Sequence, residues 1–325
     1  MTAKGAPGHI YGPVPSRRLG RSLGIDLVPY KACSYDCVYC QLGRTTSHTS
    51  RRRSYVDPAE VLTELKGRLS AGPAPDYISL AGSGEPTLCR GLEELIPGIK
   101  ALTRIPVAVI TNGSLLSRPP VAEALLSADL VVPSLDAGDE KTFRQINRPC
   151  RGIDFGEMAR GLVEFGQTFR GRLDLEVFLV AGLNDSAAQV KRIARLAERI
   201  APRRVQLNTV ARPPAEAWAG AVPRGRLMEL AKLFAVKTEI ISPRTPATWA
   251  AASSGPAAAG RVAATIARRP CTADDVARGL GLHRLEALKS LERLVAAGRA
   301  AREVTGKKIF YRAARGRQRT PKGEG

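Results

Sequence analysis

Lys31-Ala32-Cys33-Ser34-Tyr35-Asp36-Cys37-Val38-Tyr39-Cys40 spaces three cysteines as C-x₃-C-x₂-C directly after an apolar, strand-like run, Ser22–Val28. The other cysteines, Cys89, Cys150 and Cys271, are scattered. A disulfide framework would spread paired cysteines through a small secreted chain, so this tight group reads as a metal site in a reducing compartment. Three thiolates leave one iron of a four-iron cluster without a protein ligand. Such an open position lets a cluster bind and react, whereas four-cysteine clusters usually only store or pass electrons. Zinc is the competing reading. It wants a fourth ligand close by, and His48, eight residues past Cys40, is the nearby candidate.

Outward from the cysteines, residues 22 to about 240 alternate short β-branched runs with helical segments. The predicted strands are Ser22–Val28, Tyr77–Ala81, Val107–Thr111, Leu130–Leu135, Leu173–Val180 and Arg204–Asn208. Pro58–Leu69 carries Val61, Leu62, Leu65 and Leu69 on one stripe, with Asp57 as N-cap and proline in the first turn. Gln189–Ile200 repeats the pattern with Val190, Ile193, Ala194 and Ala197. Such alternation implies a parallel sheet with crossover helices. Six βα units suffice for a splayed partial barrel, in which ligands sit at the C-terminal strand ends.

The cysteine spacing, with aromatic Tyr39 before the last cysteine, resembles the signature of radical S-adenosylmethionine (SAM) enzymes. The resemblance implies a partial (β/α)6 barrel. It also implies a [4Fe–4S] cluster on Cys33, Cys37 and Cys40, whose unique iron chelates the methionine end of SAM. Reductive cleavage then gives a 5′-deoxyadenosyl radical that abstracts hydrogen from a substrate, with electrons from a flavodoxin- or ferredoxin-type donor. Tyr39 matches the position of a ring near the adenine. Gly82-Ser83-Gly84-Glu85-Pro86-Thr87 resembles the family's Gly-Gly-Glu motif, so Gly84 and Glu85 are candidates to meet the cofactor's ammonium. Thr111-Asn112-Gly113 and Ser134-Leu135-Asp136 resemble segments lining the cofactor carboxylate and ribose, which nominates Thr111, Asn112, Ser134 and Asp136. Asn112-Gly113 is equally ordinary turn chemistry. Asn208, in Gln206-Leu207-Asn208-Thr209, occupies a place where relatives contact adenine.

Tyr11–Gly20 and Arg212-Pro213-Pro214 look like a group related to wyosine-forming tRNA enzymes. Those carry N-terminal cysteines for a second cluster, and this sequence has none before Cys33. The resemblance covers about residues 10–240 and supports the core chemistry, not the wyosine reaction.

Thr245–Gly260 is rich in Ala, Ser, Pro and Gly and reads as a linker between a barrel domain (1–244) and a small module (261–315). The module reads as helices Arg261–Ala267, Thr272–Gly279 and His283–Ala297 and a hairpin, Ala301–Val304 with Lys308–Arg312. That is a winged helix. Residues 316–325 form a basic tail of disordered composition. In His283–Ala297, Leu285, Leu288, Leu291 and Val295 are expected to face the other helices. Lys289 and Arg293 with Lys307, Lys308 and Arg312 of the wing are the candidate partner contacts. The formal charge is +20, and residues 256–325 hold 16 Lys and Arg against 6 Asp and Glu. That balance suits RNA or DNA, although a high-GC codon bias produces it too.

No apolar run approaches the ~20 residues of a membrane span, and Met1–Arg18 lacks an apolar signal segment, so the expected compartment is the cytoplasm. Three functions are consistent with the sequence: a radical SAM enzyme acting on RNA such as tRNA, one modifying a peptide held by the winged helix, or a cluster-based redox-sensing regulator on nucleic acid. The Glu85 motif weighs against the regulator.

Overall fold

The computed structural model describes residues 8–16, 18–71, 74–241, 256–306 and 308–314. They fall into two compact units, dividing after Pro246.

The first unit begins with a hairpin, β1 (Ile10–Ser16) and β2 (Gly20–Ile25), followed by two short strands, β3 (Ala32–Cys33) and β4 (Ser47–His48), that pair with each other. Then come α1 (Pro58–Ser70), β5 (Tyr77–Leu80), α2 (Leu92–Leu102), β6 (Val107–Thr111), α3 (Pro119–Leu125) and β7 (Leu130–Pro133). After α4 (Glu140–Ile146) and α5 (Phe155–Thr168) follow β8 (Arg172–Leu179), α6 (Ala187–Ile200), β9 (Arg204–Thr209), α7 (Arg224–Ala231) and β10 (Thr238–Ile240). One open sheet runs β1-β2-β5-β6-β7-β8-β9-β10; only β1 is antiparallel to its neighbour. The six predicted strands are its centre. β1 and β10 are additions at the two edges, one rich in Gly and Pro, the other three residues long. Neither carries a pattern that marks a strand.

The helices form where their apolar stripes and caps place them. Asp57 accepts from Ala59 N at the start of α1, with Pro58 in the first turn and Val61 and Leu65 buried. Ser186 caps α6, whose buried stripe is Val190, Ile193, Ala194, Ala197 and Ile200. These stripes join the strands in one apolar core. The turn between β1 and β2 folds inward. Leu19 packs with Ala108, Leu130 and Val132, and Arg18 pairs with Glu176 of β8.

The second unit contains α8 (Pro256–Arg268), α9 (Ala273–Leu280), α10 (Arg284–Ala296), β11 (Ala300–Thr305) and β12 (Lys308–Ala313), the last two an antiparallel pair. Thr272 and Asp275 form a capping box on α9. Two expectations change here. Residues 256–260, expected as linker, are helical, because proline suits the first turn and three alanines follow. The rest of the linker up to 255, Lys307 and the tail lie outside the described residues. Second, Leu285 is 54% exposed, and the buried face of α10 is Ala287, Leu291 and Leu294, with Leu288 and Val295 at its margin. Leu285 sits two residues, about 200°, from the centre of that face. Among the described residues no helix is long and apolar enough to cross a membrane.

Candidate cluster and cofactor site

The cysteine loop leaves β2 at the C-terminal edge of the parallel sheet. Backbone bonds fix it to the loop after β5: Lys31 N donates to Ser83 O (2.7 Å) and Glu85 N to Ala32 O (3.0 Å). Gly84 makes this approach possible, since a Cβ there would stand 2.0 Å from Ala32 O. The Asp26 carboxylate secures the same loop through Ser83 N (3.0 Å) and Ser83 Oγ (2.5 Å).

Each cysteine sulfur accepts one side-chain N–H. Lys31 Nζ lies 3.2 Å from Cys40 Sγ, Asn147 Nδ2 3.4 Å from Cys37 Sγ and Asn112 Nδ2 3.6 Å from Cys33 Sγ. Burial, and then the Glu85 carboxylate, push the Cys33 thiol up to about 12. Burial and Asp136 raise Cys37 as well. A bound cation is what ionises thiols held in such a place. Lys31 is buried in left-handed backbone (φ 60°). Burial opposes its charge, but the surrounding sulfurs, Cys40 foremost, hold its pKa above the ordinary value. Among the described residues no three His, Cys, Asp or Glu side chains converge on a single-ion position. The donor set, three soft thiols with separate N–H partners, suits an iron–sulfur cluster.

The strand ends are tied into this loop. Glu85, 2% exposed, takes three donors on Oε1, namely Thr87 N (3.0 Å), Thr87 Oγ1 and Thr111 Oγ1 (both 2.6 Å). Oε2 accepts from Asn112 N at 2.7 Å and keeps capacity for a further donor. Burial outweighs these bonds and raises the Glu85 pKa. Asn112 also donates to Ser34 Oγ (2.9 Å), so one residue joins the third strand end to the glutamate and to the cysteine loop. At the fourth strand end the Asp136 carboxylate accepts from Tyr39 OH (2.5 Å), Asn147 Nδ2 (2.7 Å) and Phe178 N (2.9 Å). Its pKa rises to about 6 through burial. The Tyr39 ring lies flat on Phe178, with centroids 3.8 Å apart and planes at 10°.

Glu85, Thr111 and Asn112 thus gather with Cys33, and Tyr39 and Asp136 gather with Cys37. Ser134 and Asn208 are tied to Glu176 rather than to the cysteine loop. Ser134 bridges to Glu176 in the sheet, and Asn208 Nδ2 donates to Glu176 Oε1 at 2.9 Å. Lys31, Asn147 and Phe178 were not singled out in the sequence. Nothing local in the sequence marks them, because a lysine is almost never expected to be buried and an asparagine after a helix reads as a cap. In the second unit Lys289, Arg293 and Lys308 are exposed, and Arg312 pairs with Glu303 at 3.5 Å.

Compared with known proteins, residues 27–197 match the model of the radical SAM superfamily. The chain belongs to the radical SAM superfamily. This radical SAM chain is 45% identical over 232 residues to a protein of Brachyspira hyodysenteriae named GTPase Obg, covering 71% of this chain and 34% of that one. The match therefore spans about a third of that relative. It is 35% identical over 233 residues to a UPF0026 protein of Methanocaldococcus jannaschii, covering 71% of each chain. In fold it is similar to a radical SAM methyltransferase from Sphaerobacter thermophilus, with a TM-score of 0.50, 18% identity and coverage of 67% of this chain and 65% of that one. As a radical SAM enzyme it takes a [4Fe–4S] cluster and S-adenosylmethionine as cofactors.

Proposed function

We propose that Cys33, Cys37 and Cys40 hold the cluster and that Tyr39, Gly84, Glu85, Thr111, Asn112, Ser134, Asp136 and Asn208 shape the SAM site. The observation that carries this reading is that each of the three sulfurs has its own N–H donor while Glu85, Asn112 and Asp136 hydrogen-bond to the same loop. When bound, cluster and SAM supply a one-electron cleavage that generates a hydrogen-abstracting radical. The chain's own residues prepare the place. Lys31, Asn112 and Asn147 orient the thiolates, and Glu85 braces two strand ends while keeping an acceptor for the cofactor's ammonium. Asp136 fixes the Tyr39 ring on Phe178, a flat apolar wall that keeps water off the adenine side. Anaerobic reconstitution followed by dithionite and SAM should yield 5′-deoxyadenosine; a reconstituted chain that yields none would refute the reading.

For the substrate we propose RNA, brought by residues 261–315 acting as a winged helix through Lys289, Arg293, Lys307, Lys308 and Arg312. The chain would then work in the cytoplasm beside a flavodoxin- or ferredoxin-type donor, with residues 1–244 as the catalytic domain. A peptide substrate is the second reading, and one observation favours it. Val304 (71% exposed) and Ile309 (48% exposed) pair across the hairpin, while Arg284, Arg302 and Arg312 are engaged by Asp274, Glu292 and Glu303. Affinity capture with the full chain separates the two: enriched tRNA supports RNA, and a recurrent peptide partner in its place contradicts it.

A further inference from the structure

The segment after the cysteine loop is strongly basic, and the proposed chemistry makes no use of its charge. Residues 37–56 contain Arg44, Arg51, Arg52, Arg53 and His48 and no Asp or Glu. Their backbone is pinned to the site. Ala32 and Cys33 pair in register with Ser47 and His48, and Thr49 N donates to Cys33 O at 3.0 Å. Thr46 N and Ser47 N donate to Lys31 O at 3.2 and 3.1 Å. Further along, Arg118 Nη1 holds Ser50 O at 2.7 Å, and Arg53 exchanges backbone bonds of 2.9 Å with Leu88 and Arg90.

Ser47, His48, Arg51, Arg53 and Arg90 are exposed on this braced backbone. Arg44 and Arg52 are paired with Glu216 and Glu93. Among the described residues no ion pair takes Arg51, Arg53 or Arg90. Arg90 lines a pocket together with Asp57, Glu60, Glu93 and Glu94, so the cationic platform is Arg51 and Arg53 beside His48, on braced backbone that is hydrogen-bonded directly to a cluster cysteine.

We propose that Arg51 and Arg53, with His48 at their edge, form the docking face for a small acidic electron-carrier protein. The proposal rests on the cluster reading above. Electron transfer weakens steeply with distance, and exposed His48 is the strand partner of Cys33. Cationic side chains fixed there steer an anionic partner to the place where an electron has the shortest way in. A weak, small contact is the rule for such redox encounters. One electron leaves the reduced carrier, which is oxidised by one electron, and the cluster is reduced by one; no atom or proton moves. The register between Cys33 and His48 favours a carrier, and a nucleic acid held by the same cations is the outcome the test must exclude.

The test is anaerobic stopped-flow reduction of the reconstituted full chain, followed by bleaching of the cluster absorbance. An acidic flavodoxin in its hydroquinone form is the probe, and the methyl viologen radical cation is the control that needs no docking. At low salt the Arg51→Glu, Arg53→Glu double variant should react about tenfold or more slowly with flavodoxin, and Arg90→Glu, on the acid-lined side, should not. The Arg51→Gln, Arg53→Gln version should show a smaller loss in the same direction. The wild-type rate should fall with salt towards that of the double variant, and viologen rates and iron content should not change. Unchanged flavodoxin rates, no salt dependence, equal slowing with viologen, or loss of RNA binding at intact electron transfer would each overturn the docking face alone. A wild-type chain that assembles no cluster would overturn the functional reading and this one with it.

Discussion

Gly84 and Lys31 show how single residues set the site. Alanine at position 84 would force the loop away from Ala32 O, so Gly84→Ala is expected to lower iron uptake and to cost about 1–3 kcal/mol in stability, read by iron assay and chemical denaturation. Lys31 places an ammonium on the Cys40 sulfur, and a cation there favours the reduced, more negative cluster. Lys31→Met should therefore make the midpoint potential more negative in an EPR-monitored titration without removing iron. Asp136 gives a pH signature. Its pKa is raised from the ordinary 3.8 to about 6, so the folded chain binds the proton more tightly than the unfolded one. That contribution is full below about pH 4 and is lost as pH rises through 6. Denaturation of the metal-free protein should show this fall between pH 4 and 6, and Asp136→Asn should flatten it. The cysteines were legible in sequence because their spacing is local. Lys31 and Asn147 were not, because a donor to a sulfur is chosen by tertiary contact.

Among the elements, the six central strands and the stripes of α1 and α6 follow from apolar periodicity. The edges do not. β1 holds Gly12, Pro13 and Pro15, and β10 has three residues, so pairing with a formed sheet decides them. α10 teaches the same lesson at one position, because its leucines admit two stripes and only packing against α8 and α9 chooses the one of Ala287, Leu291 and Leu294. Leu291 is fully buried in the core of the second unit. Leu291→Ala should destabilise that unit by about 2–5 kcal/mol in thermal denaturation while leaving iron content and cluster spectra unchanged.

At the scale of the whole chain, the proposed function places chemistry and recognition in separate units. The cysteines and their hydrogen-bonded strand ends belong to the unit ending at Pro246, and half of the excess positive charge lies in residues 256–325. A chain ending at Pro246 should still assemble the cluster and cleave SAM, yet lose capture of its macromolecular substrate; losing both would show that the two roles are not separable. The fold and cofactor class were legible from one sequence because they rest on short motifs in a repeating frame. The substrate was not, because its recognition depends on surface chemistry that no fixed spacing encodes.

EPR spectroscopy of the anaerobically reconstituted, dithionite-reduced full chain, with and without SAM, tests the central claim most directly. The expected result is a four-iron cluster signal that changes when SAM is added and disappears in the Cys33→Ala, Cys37→Ala, Cys40→Ala variant. A signal indifferent to SAM, or one that survives removal of the three cysteines, would contradict it.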